Sequence, residues 1–236
     1  SRQAIFISIG FIIFCFFLLI PSDFLRKFDW LLLIVSFILL LALFFPGVGT
    51  EVNGSIRWIR FGPINIQPSE VAKFCMLIYI SGYCVRRLEE ISSATGFVRP
   101  LFILTLFASL ILIQPDYGST AILCLIVMVL LFFAGISFYQ FLILIMLFLI
   151  LGAIAILLEP YRLIRLLSFV DPFEDIQDSG WQLAQSLISL GQGGWFGLGL
   201  GNSIQKNLFL PEAHTDFIFA ILVEELGIIG GLALIL

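Results

Sequence analysis

Residues 141–158 read FLILIMLFLILGAIAILL, a run without a single polar or charged side chain. A helix needs about 20 mostly apolar residues, usually roughly 17 to 25, to cross the ~30 Å hydrocarbon layer of a bilayer. Backbone amides in lipid must find their hydrogen bonds inside the segment, which excludes irregular chain and isolated strands. The run therefore predicts a transmembrane helix.

Six more apolar runs lie on the two sides of this one. They are residues 4–20, 30–45, 68–85, 100–113, 120–135 and 217–236. The runs at 30–45, 100–113 and 120–135 are short for a span, so we expect each of these helices to extend into its flanks. The predicted fold class is all-α, a polytopic membrane helical bundle with about seven transmembrane helices in this chain.

The composition excludes an ordinary soluble domain. Hydrophobic residues make up 61% of the chain and charged residues 12%, against about 45–50% and about 25% in soluble domains. The net charge of -4 also argues against a nucleic-acid-binding protein, which needs a basic surface. The four cysteines form no C-x-x-C pair, so we interpret them as small core residues rather than metal ligands; they are Cys15, Cys75, Cys84 and Cys124.

The chain begins at Ser1 without Met and ends inside the apolar run 228–236. We therefore expect a fragment, with one transmembrane domain over residues 1–236 truncated at both ends. Lys and Arg in short loops predict the cytoplasmic side. Arg26 and Lys27 lie between the first two runs, Arg86, Arg87 and Arg99 between the third and fourth, and Arg57 and Arg60 on the opposite side. Segments 47–67, 115–118 and 159–215 are accordingly predicted to lie outside.

The long outer loop, residues 159–216, is too apolar to be disordered. Residues 161–170 place Arg162 and Arg165 on one helical face among Leu and Ile. Residues 181–189 place an apolar stripe opposite a polar one, so we expect short helices at the membrane surface. The glycines of 191–201 lack the Lys-Ser/Thr of a phosphate-binding loop, and we predict turns with close backbone packing there.

Two outer segments carry polar side chains that lipid makes costly. In QPSEVAK, residues 67–73, Pro68 suits the first helical position, and Glu70 and Lys73 at i and i+3 share one helical face. This pair is either a structural ion pair or an anion-binding cation held by its carboxylate. Arg57 is either an interfacial anchor or part of the same site.

The segment LPEAHTDF, residues 210–217, precedes the last run. Thr215 is expected to cap that helix and to place Asp216 in its first turn, where the helix dipole favours a carboxylate while the apolar neighbours oppose it. Asp216 is therefore either a base or a helix-start residue without a chemical role. Glu212, His214 and Asp216 together are weak evidence for a divalent-cation site.

Three more carboxylates need an explanation. Asp116, in a tight outer turn, is predicted to start a helix. Glu224 and Glu225 lie about 12 Å deeper along the last helix than Asp216, at 1.5 Å per residue, and need a buried partner or a wet cavity.

At these residues the chain resembles the SEDS family (shape, elongation, division and sporulation) of membrane glycosyltransferases that polymerise peptidoglycan from lipid II. The matching stretches are NGSIRWIRFGPINIQPSEVAK, QPDYGS, EPYRLIRLLSFVDPFEDIQDSGWQLAQSLISLGQGG, GLGLGNSIQK and LPEAHTDFIFAILVEELG. GLGLGNSIQK and LPEAHTDFIFA are closer to the division branch than to the elongation branch. The resemblance implies ten transmembrane helices, of which this chain covers the second to part of the eighth.

The resemblance also implies roles for individual residues. Asp216 corresponds to the family's essential loop aspartate and is the expected catalytic base. Arg57, Glu70 and Lys73 fall on important outer-face positions and are candidate substrate-binding residues, together with His214, Arg162 and Arg165. Cations would stabilise the pyrophosphate leaving group. No cofactor follows with certainty, and a divalent cation, Mg²⁺ or Mn²⁺, is left open.

The partners implied are lipid II, the nascent lipid-linked glycan, a class B penicillin-binding transpeptidase, other membrane proteins of the division machinery and membrane lipids, with no nucleic acid. The expected location is the bacterial cytoplasmic membrane, with the site on the outer side. A lipid II flippase and a non-catalytic division scaffold are the alternatives, and broken helical segments would favour transport.

Overall fold

A computed structural model describes residues 2–52, 55–62, 64–158, 160–173, 180–208, 210 and 216–236 of the chain. The helices in this part are α1 (Arg2–Leu19), α2 (Ser22–Lys27), α3 (Asp29–Ala42), α4 (Pro68–Arg86), α5 (Ala94–Ile113), α6 (Tyr117–Phe133), α7 (Phe138–Leu157), α8 (Pro160–Val170), α9 (Trp181–Gly193), α10 (Gln205–Leu208) and α11 (Ile218–Ile235). The strands are β1 (Gly49–Val52), β2 (Ser55–Phe61) and β3 (Ile64–Ile66). The chain divides into two compact units, the first ending at Phe148 and the second covering Leu149–Leu236.

Each of the seven predicted runs coincides with one helix, which confirms the all-α membrane fold class. Within the described residues, α5, α7 and α11 are long and apolar enough to cross a membrane, and α6, α3 and residues 7–19 of α1 are shorter apolar helices. The run predicted to start at residue 100 begins six residues earlier, because the Ser93 side chain accepts a hydrogen bond from the Gly96 amide and caps α5.

The outer segment 47–67 contains a small antiparallel sheet in the order β1-β2-β3, where the sequence predicted only a loop. These strands are three to seven residues long, too short for a clear alternating pattern. The sheet places β2 against the start of α4.

The core of the first unit lies among α3, α4, α5 and α6. Its fully buried side chains include Met76, Ile80, Phe107, Leu123 and Leu131. By contrast, Leu144 is the one buried residue that α7 shows in the described part, and Phe133 at the end of α6 is 81% exposed. Large apolar side chains on the outside are expected of a bundle whose surrounding solvent is lipid.

In the second unit α9 packs on α11 through its polar face. Gln185 and Ser189 are buried, whereas Leu187 is 40% exposed. The predicted division into an apolar and a polar stripe is only partly present, because Ala184 of the apolar stripe is also fully buried and Gln182 of the polar stripe is exposed. A helix that buries polar side chains and exposes Leu187 differs from a soluble surface helix and suits an apolar surrounding.

α11 is broken at Gly227, whose φ of 77° and ψ of 178° are not helical. The segment 194–199 pairs with the break. The amides of Leu198 and Gly199 donate to the carbonyls of Glu224 and Glu225 at 2.9 and 3.0 Å, and the Ile228 amide donates to the Gly194 carbonyl at 2.9 Å. A Cβ on Gly197 or Gly227 would overlap the facing backbone. The predicted close packing of the glycines is thus confirmed, and the predicted last span is present with a break at Gly227 that the sequence analysis did not predict.

Candidate active site

Arg57 reaches from β2 to the turn between α5 and α6. Its Nε donates to the Gln114 carbonyl at 3.2 Å and its Nη2 to the Pro115 carbonyl at 2.6 Å. These two carbonyls follow the C-terminal end of α5, where a cation is favoured. Carbonyl oxygens satisfy the donors of the guanidinium but do not cancel its charge. Arg57 therefore holds the turn in place and keeps a positive charge beside it.

Asp116 joins that turn to the start of α4. It caps α6 by accepting from the Ser119 amide at 3.1 Å, and its Oδ2 accepts from Gln67 Nε2 at 3.1 Å and from Ser69 Oγ at 3.3 Å. The carboxylate is buried, so these donors replace water. The predicted helix start is confirmed. The links to Gln67 and Ser69 were missed, because a contact between residues 47 and 49 positions apart leaves no local sequence signal.

Lys73 and Glu70 form an ion pair in the first turns of α4, with Lys73 Nζ 2.7 Å from Glu70 Oε1. The Lys73 side chain is 13% exposed and that of Glu70 58% exposed. The amine is therefore largely enclosed, while its carboxylate partner reaches the surroundings.

Asp216 belongs to the second unit and lies in the turn directly before α11, with an exposed side chain. The helix begins at Ile218 and Phe217 occupies the capping position without a side-chain hydrogen bond. The sequence had placed Asp216 in the first helical turn, which is wrong by two residues, because the first helical bond is donated by the Ile221 amide to the Phe217 carbonyl. Because Asp216 is exposed, the apolar residues after it do not bury its carboxylate.

The other candidates in this unit are only partly described. Arg162 is half-buried in α8 and its Nη1 donates to the Ala155 carbonyl at 2.5 Å. His214, Glu212 and Thr215, and the side chain of Arg165, lie outside the described residues. Within the described part there is no group of three His, Cys, Asp or Glu side chains that could hold a metal ion.

Glu224 is fully buried in α11 and accepts four hydrogen bonds. Its Oε2 accepts from Ser189 Oγ at 2.8 Å and Ser203 Oγ at 2.6 Å. Its Oε1 accepts from the amides of Ile204 and Gln205 at 2.8 and 3.3 Å. This confirms the expectation that Glu224 has buried partners, and it joins α9, the start of α10 and α11. Glu225 Oε1 lies 4.0 Å from Lys206 Nζ.

The anchoring by Glu224 continues toward Asp216. The Leu210 amide donates to the Gln205 carbonyl at 3.0 Å, and Leu210 packs with Ile221 and Phe217. Leu210 and Phe217, on the two sides of residues 211–215, therefore both pack at the start of α11. Asp216 directly precedes Phe217 and so lies beside this packed position.

The apolar exterior and the helical bundle define the class of protein as a multi-pass helical membrane protein. The family described as cell cycle proteins, which comprises FtsW, RodA and SpoVE, matches residues 1–236. The chain belongs to this family.

Two relatives show the extent of the similarity. A probable peptidoglycan glycosyltransferase FtsW of Marinomonas mediterranea is 47% identical over 237 residues, which cover 100% of this chain and 58% of the relative. A protein with the same name from Pseudomonas fluorescens is 43% identical over 232 residues, covering 98% and 57%. The chain thus spans less than two thirds of the length of these relatives.

Two solved structures share the fold. A chain in a structure on the coordination of polymerization and crosslinking by a peptidoglycan synthase complex aligns with a TM-score of 0.73 at 25% identity, covering 99% of this chain and 65% of that one. The rod shape determining protein RodA of Thermus thermophilus aligns with a TM-score of 0.62 at 25% identity, covering 99% and 60%.

Proposed function

We propose that this chain is part of a peptidoglycan glycosyltransferase that polymerises lipid II at the outer face of the cytoplasmic membrane during septal wall synthesis. The observation that carries the proposal is 47% identity along the whole chain to a relative named a probable peptidoglycan glycosyltransferase. The division branch is favoured because FtsW is the name of the relatives at 43% and 47% identity.

Asp216 is the proposed general base. Its exposed carboxylate accepts the proton of the acceptor sugar hydroxyl. The oxygen then forms a bond to the anomeric carbon of the donor, and the bond from that carbon to the pyrophosphate oxygen breaks. One displacement of this kind inverts the anomeric configuration. The attachment of Leu210 and Phe217 to α11 supports this role, since it holds the base at a fixed place.

The leaving pyrophosphate needs positive charge. Arg57 and Lys73 are the proposed cations, with Glu70 holding the amine of Lys73, and His214, Arg162 and Arg165 are proposed to contact the substrate. Arg57 suits the role because its described hydrogen-bond partners are carbonyl oxygens rather than a carboxylate. A divalent ion, Mg²⁺ or Mn²⁺, remains part of the proposal as a further source of charge.

The proposed partners are a class B penicillin-binding transpeptidase and other membrane proteins of the division machinery. The similarity to a chain of a peptidoglycan synthase complex supports the first. The polyprenyl tails of the substrates would stay in the lipid beside the helices.

One observation favours a second function, the transport of lipid II. α11 is broken at Gly227, and broken helices are typical of transporters. Here, however, the backbone N–H and C=O groups that are freed at the break form hydrogen bonds with the segment 194–199 instead of facing a cavity. Polymerisation is therefore the better-supported function.

The test reconstitutes the full-length protein with its class B transpeptidase and supplies lipid II on the outer face only. We expect polymer from the wild type and a loss of about 10²–10⁴-fold in Asp216→Ala. Asp171→Ala, which removes another exposed carboxylate of the second unit, is the matched control and keeps its activity. Undiminished polymer in Asp216→Ala would exclude Asp216 as the base. Arrival of lipid II at the inner face without polymer would indicate transport. The absence of both polymer and transport would indicate a scaffold.

A further inference from the structure

We propose that a groove between the C-terminal end of α4 and the N-terminal part of α5 binds the head group of an anionic glycerophospholipid. The groove has a volume of about 620 Å³. Its polar lining comes from Arg86, Arg87 and Arg99 and from Tyr79 and Tyr83. This end of α4 is 13 residues from Lys73, about 20 Å along the helix at 1.5 Å per residue, so the groove is separate from the proposed catalytic residues.

The groove carries an excess of positive charge. Its described lining contains three arginines and no carboxylate. Arg86 pairs with the buried Asp29 and Arg87 with Glu90, each at 2.5 Å, and the side chains of Arg86 and Arg87 remain 44% and 42% exposed. No ion pair joins the exposed Arg99 to a carboxylate in the part of the chain that the structure describes. One uncompensated guanidinium beside two partly accessible ones favours a phosphodiester.

The remaining lining suits an acyl chain. Val98 and Phe102 on α5 are 57% and 69% exposed and lie beside the arginines in the groove. The Tyr83 hydroxyl donates to the Gly96 carbonyl at 2.9 Å, which holds α4 against the start of α5. Tyr79 lines the same groove one helical turn before Tyr83. A tyrosine and several arginines above exposed apolar side chains form the pattern expected at a lipid head-group level.

A neighbouring groove shows why the charge matters. It shares Tyr79 and Arg86 and adds Arg26 and Lys27, but Asp23 and Asp29 also line it. These two carboxylates offset two of its three cations, whereas the groove with Arg99 has no carboxylate in its lining, so that groove is the one assigned to the lipid. The arginines also mark the end of the bundle that the sequence predicts to be cytoplasmic, where anionic lipids are abundant and basic pockets between transmembrane helices bind their head groups.

The experiment measures lipid binding to the purified full-length protein by native mass spectrometry. Phosphatidylglycerol and phosphatidylcholine with identical acyl chains are the two probes. We expect the wild type to prefer phosphatidylglycerol, and Arg99→Gln to weaken that preference by about fivefold. Arg60→Gln, which removes an exposed arginine of β2, is the matched control and keeps the preference, as does Arg99→Lys.

Equal retention of the two lipids by the wild type overturns the proposal, because an apolar groove alone would explain it. An unchanged preference in Arg99→Gln also overturns it. Displacement of phosphatidylglycerol by millimolar inorganic phosphate would indicate a site for a soluble phosphate instead. None of these outcomes depends on polymerisation, so this proposal and the proposed function fail separately.

Discussion

At the scale of single residues, the four hydrogen-bond donors to Glu224 differ in whether they could pair with a different side chain at this position. Oε1 accepts from two backbone amides, which are fixed donors. Oε2 accepts from two serine hydroxyls, which can rotate, and Ser189 Oγ has a second acceptor in the Ala220 carbonyl at 3.2 Å. A glutamine side chain, which has a carbonyl oxygen that accepts and an NH2 group that donates, could therefore still fit.

This asymmetry gives the first prediction at the residue scale. Glu224→Gln should place its oxygen toward the two amides and its NH2 toward the two hydroxyls, and should cost about 1 kcal/mol. Glu224→Ala removes the shared acceptor, leaves the amides of Ile204 and Gln205 without this partner, and should cost about 3–5 kcal/mol. Thermal unfolding of the full-length protein in detergent measures both. Glu225→Ala is the control. A loss of stability in Glu224→Gln as large as that in Glu224→Ala would contradict this account.

A second residue-scale prediction concerns Lys73. Lys73→Ala should reduce polymerisation by at least about tenfold. The free energy of unfolding should change by less than about 1 kcal/mol, because Glu70, the partner left behind, is largely exposed and does not become a buried unpaired charge. The measurements are polymer yield at varied lipid II concentration and a thermal melt. Lys27→Ala, at an exposed lysine of α2, should leave both unchanged. A large fall in the melting temperature of Lys73→Ala would show that the Glu70–Lys73 pair is structural.

The residue types of the site were readable from the sequence, but most of their partners were not. The i, i+3 spacing predicts the Glu70–Lys73 pair, and the Q-P-D turn predicts Asp116 as a helix start. The contacts of Arg57 with Gln114 and Pro115 bring together residues 57 and 58 positions apart. Contacts of that kind depend on how α5, α6 and the sheet pack, which no local pattern encodes.

At the scale of elements, apolar length located seven of the eleven described helices, and the side chains of Ser93 and Asp116 cap the starts of α5 and α6. The break in α11 is different, because glycine tolerates a positive φ without requiring one. Only the pairing with the segment 194–199 shows that Gly227 uses this freedom. The sheet 49–66 was missed since its strands are short.

The prediction at the element scale is that Gly227→Ala destabilises the protein by about 2 kcal/mol or more, because alanine is strained at a φ of 77° and its Cβ would overlap the Trp195 carbonyl. Gly152→Ala is the matched control: a Cβ there meets nothing within 4 Å, so this helical position should be unchanged or gain about 0.5–1 kcal/mol. Thermal unfolding compares the two. A Gly227→Ala protein as stable as the wild type would show that the break is not required.

At the scale of the whole molecule, the distribution of charge should decide how the protein crosses the membrane. Arg86, Arg87 and Arg99 lie around one end of α4, and Glu70 and Lys73 lie at the other. The orientation predicted from the sequence places the arginines inside the cell.

This orientation has a direct test in two exposed glutamates. With the four native cysteines replaced, Glu51→Cys on β1 should react with a membrane-impermeant maleimide in intact cells. Glu89→Cys, between α4 and α5, should react only after permeabilisation. The opposite pattern would reverse the proposed orientation and move Lys73 to the cytoplasm.

The contrast between α7 and α4 has a consequence for biogenesis. α7 has Leu144 as its one described buried residue and is apolar throughout, so its own hydrophobicity suffices for release from the translocon into lipid. α4 carries Glu70, Lys73 and Arg86 and is not among the helices apolar enough to cross alone. It packs against α3 and α6, so we expect α4 to enter the lipid together with these neighbours rather than alone.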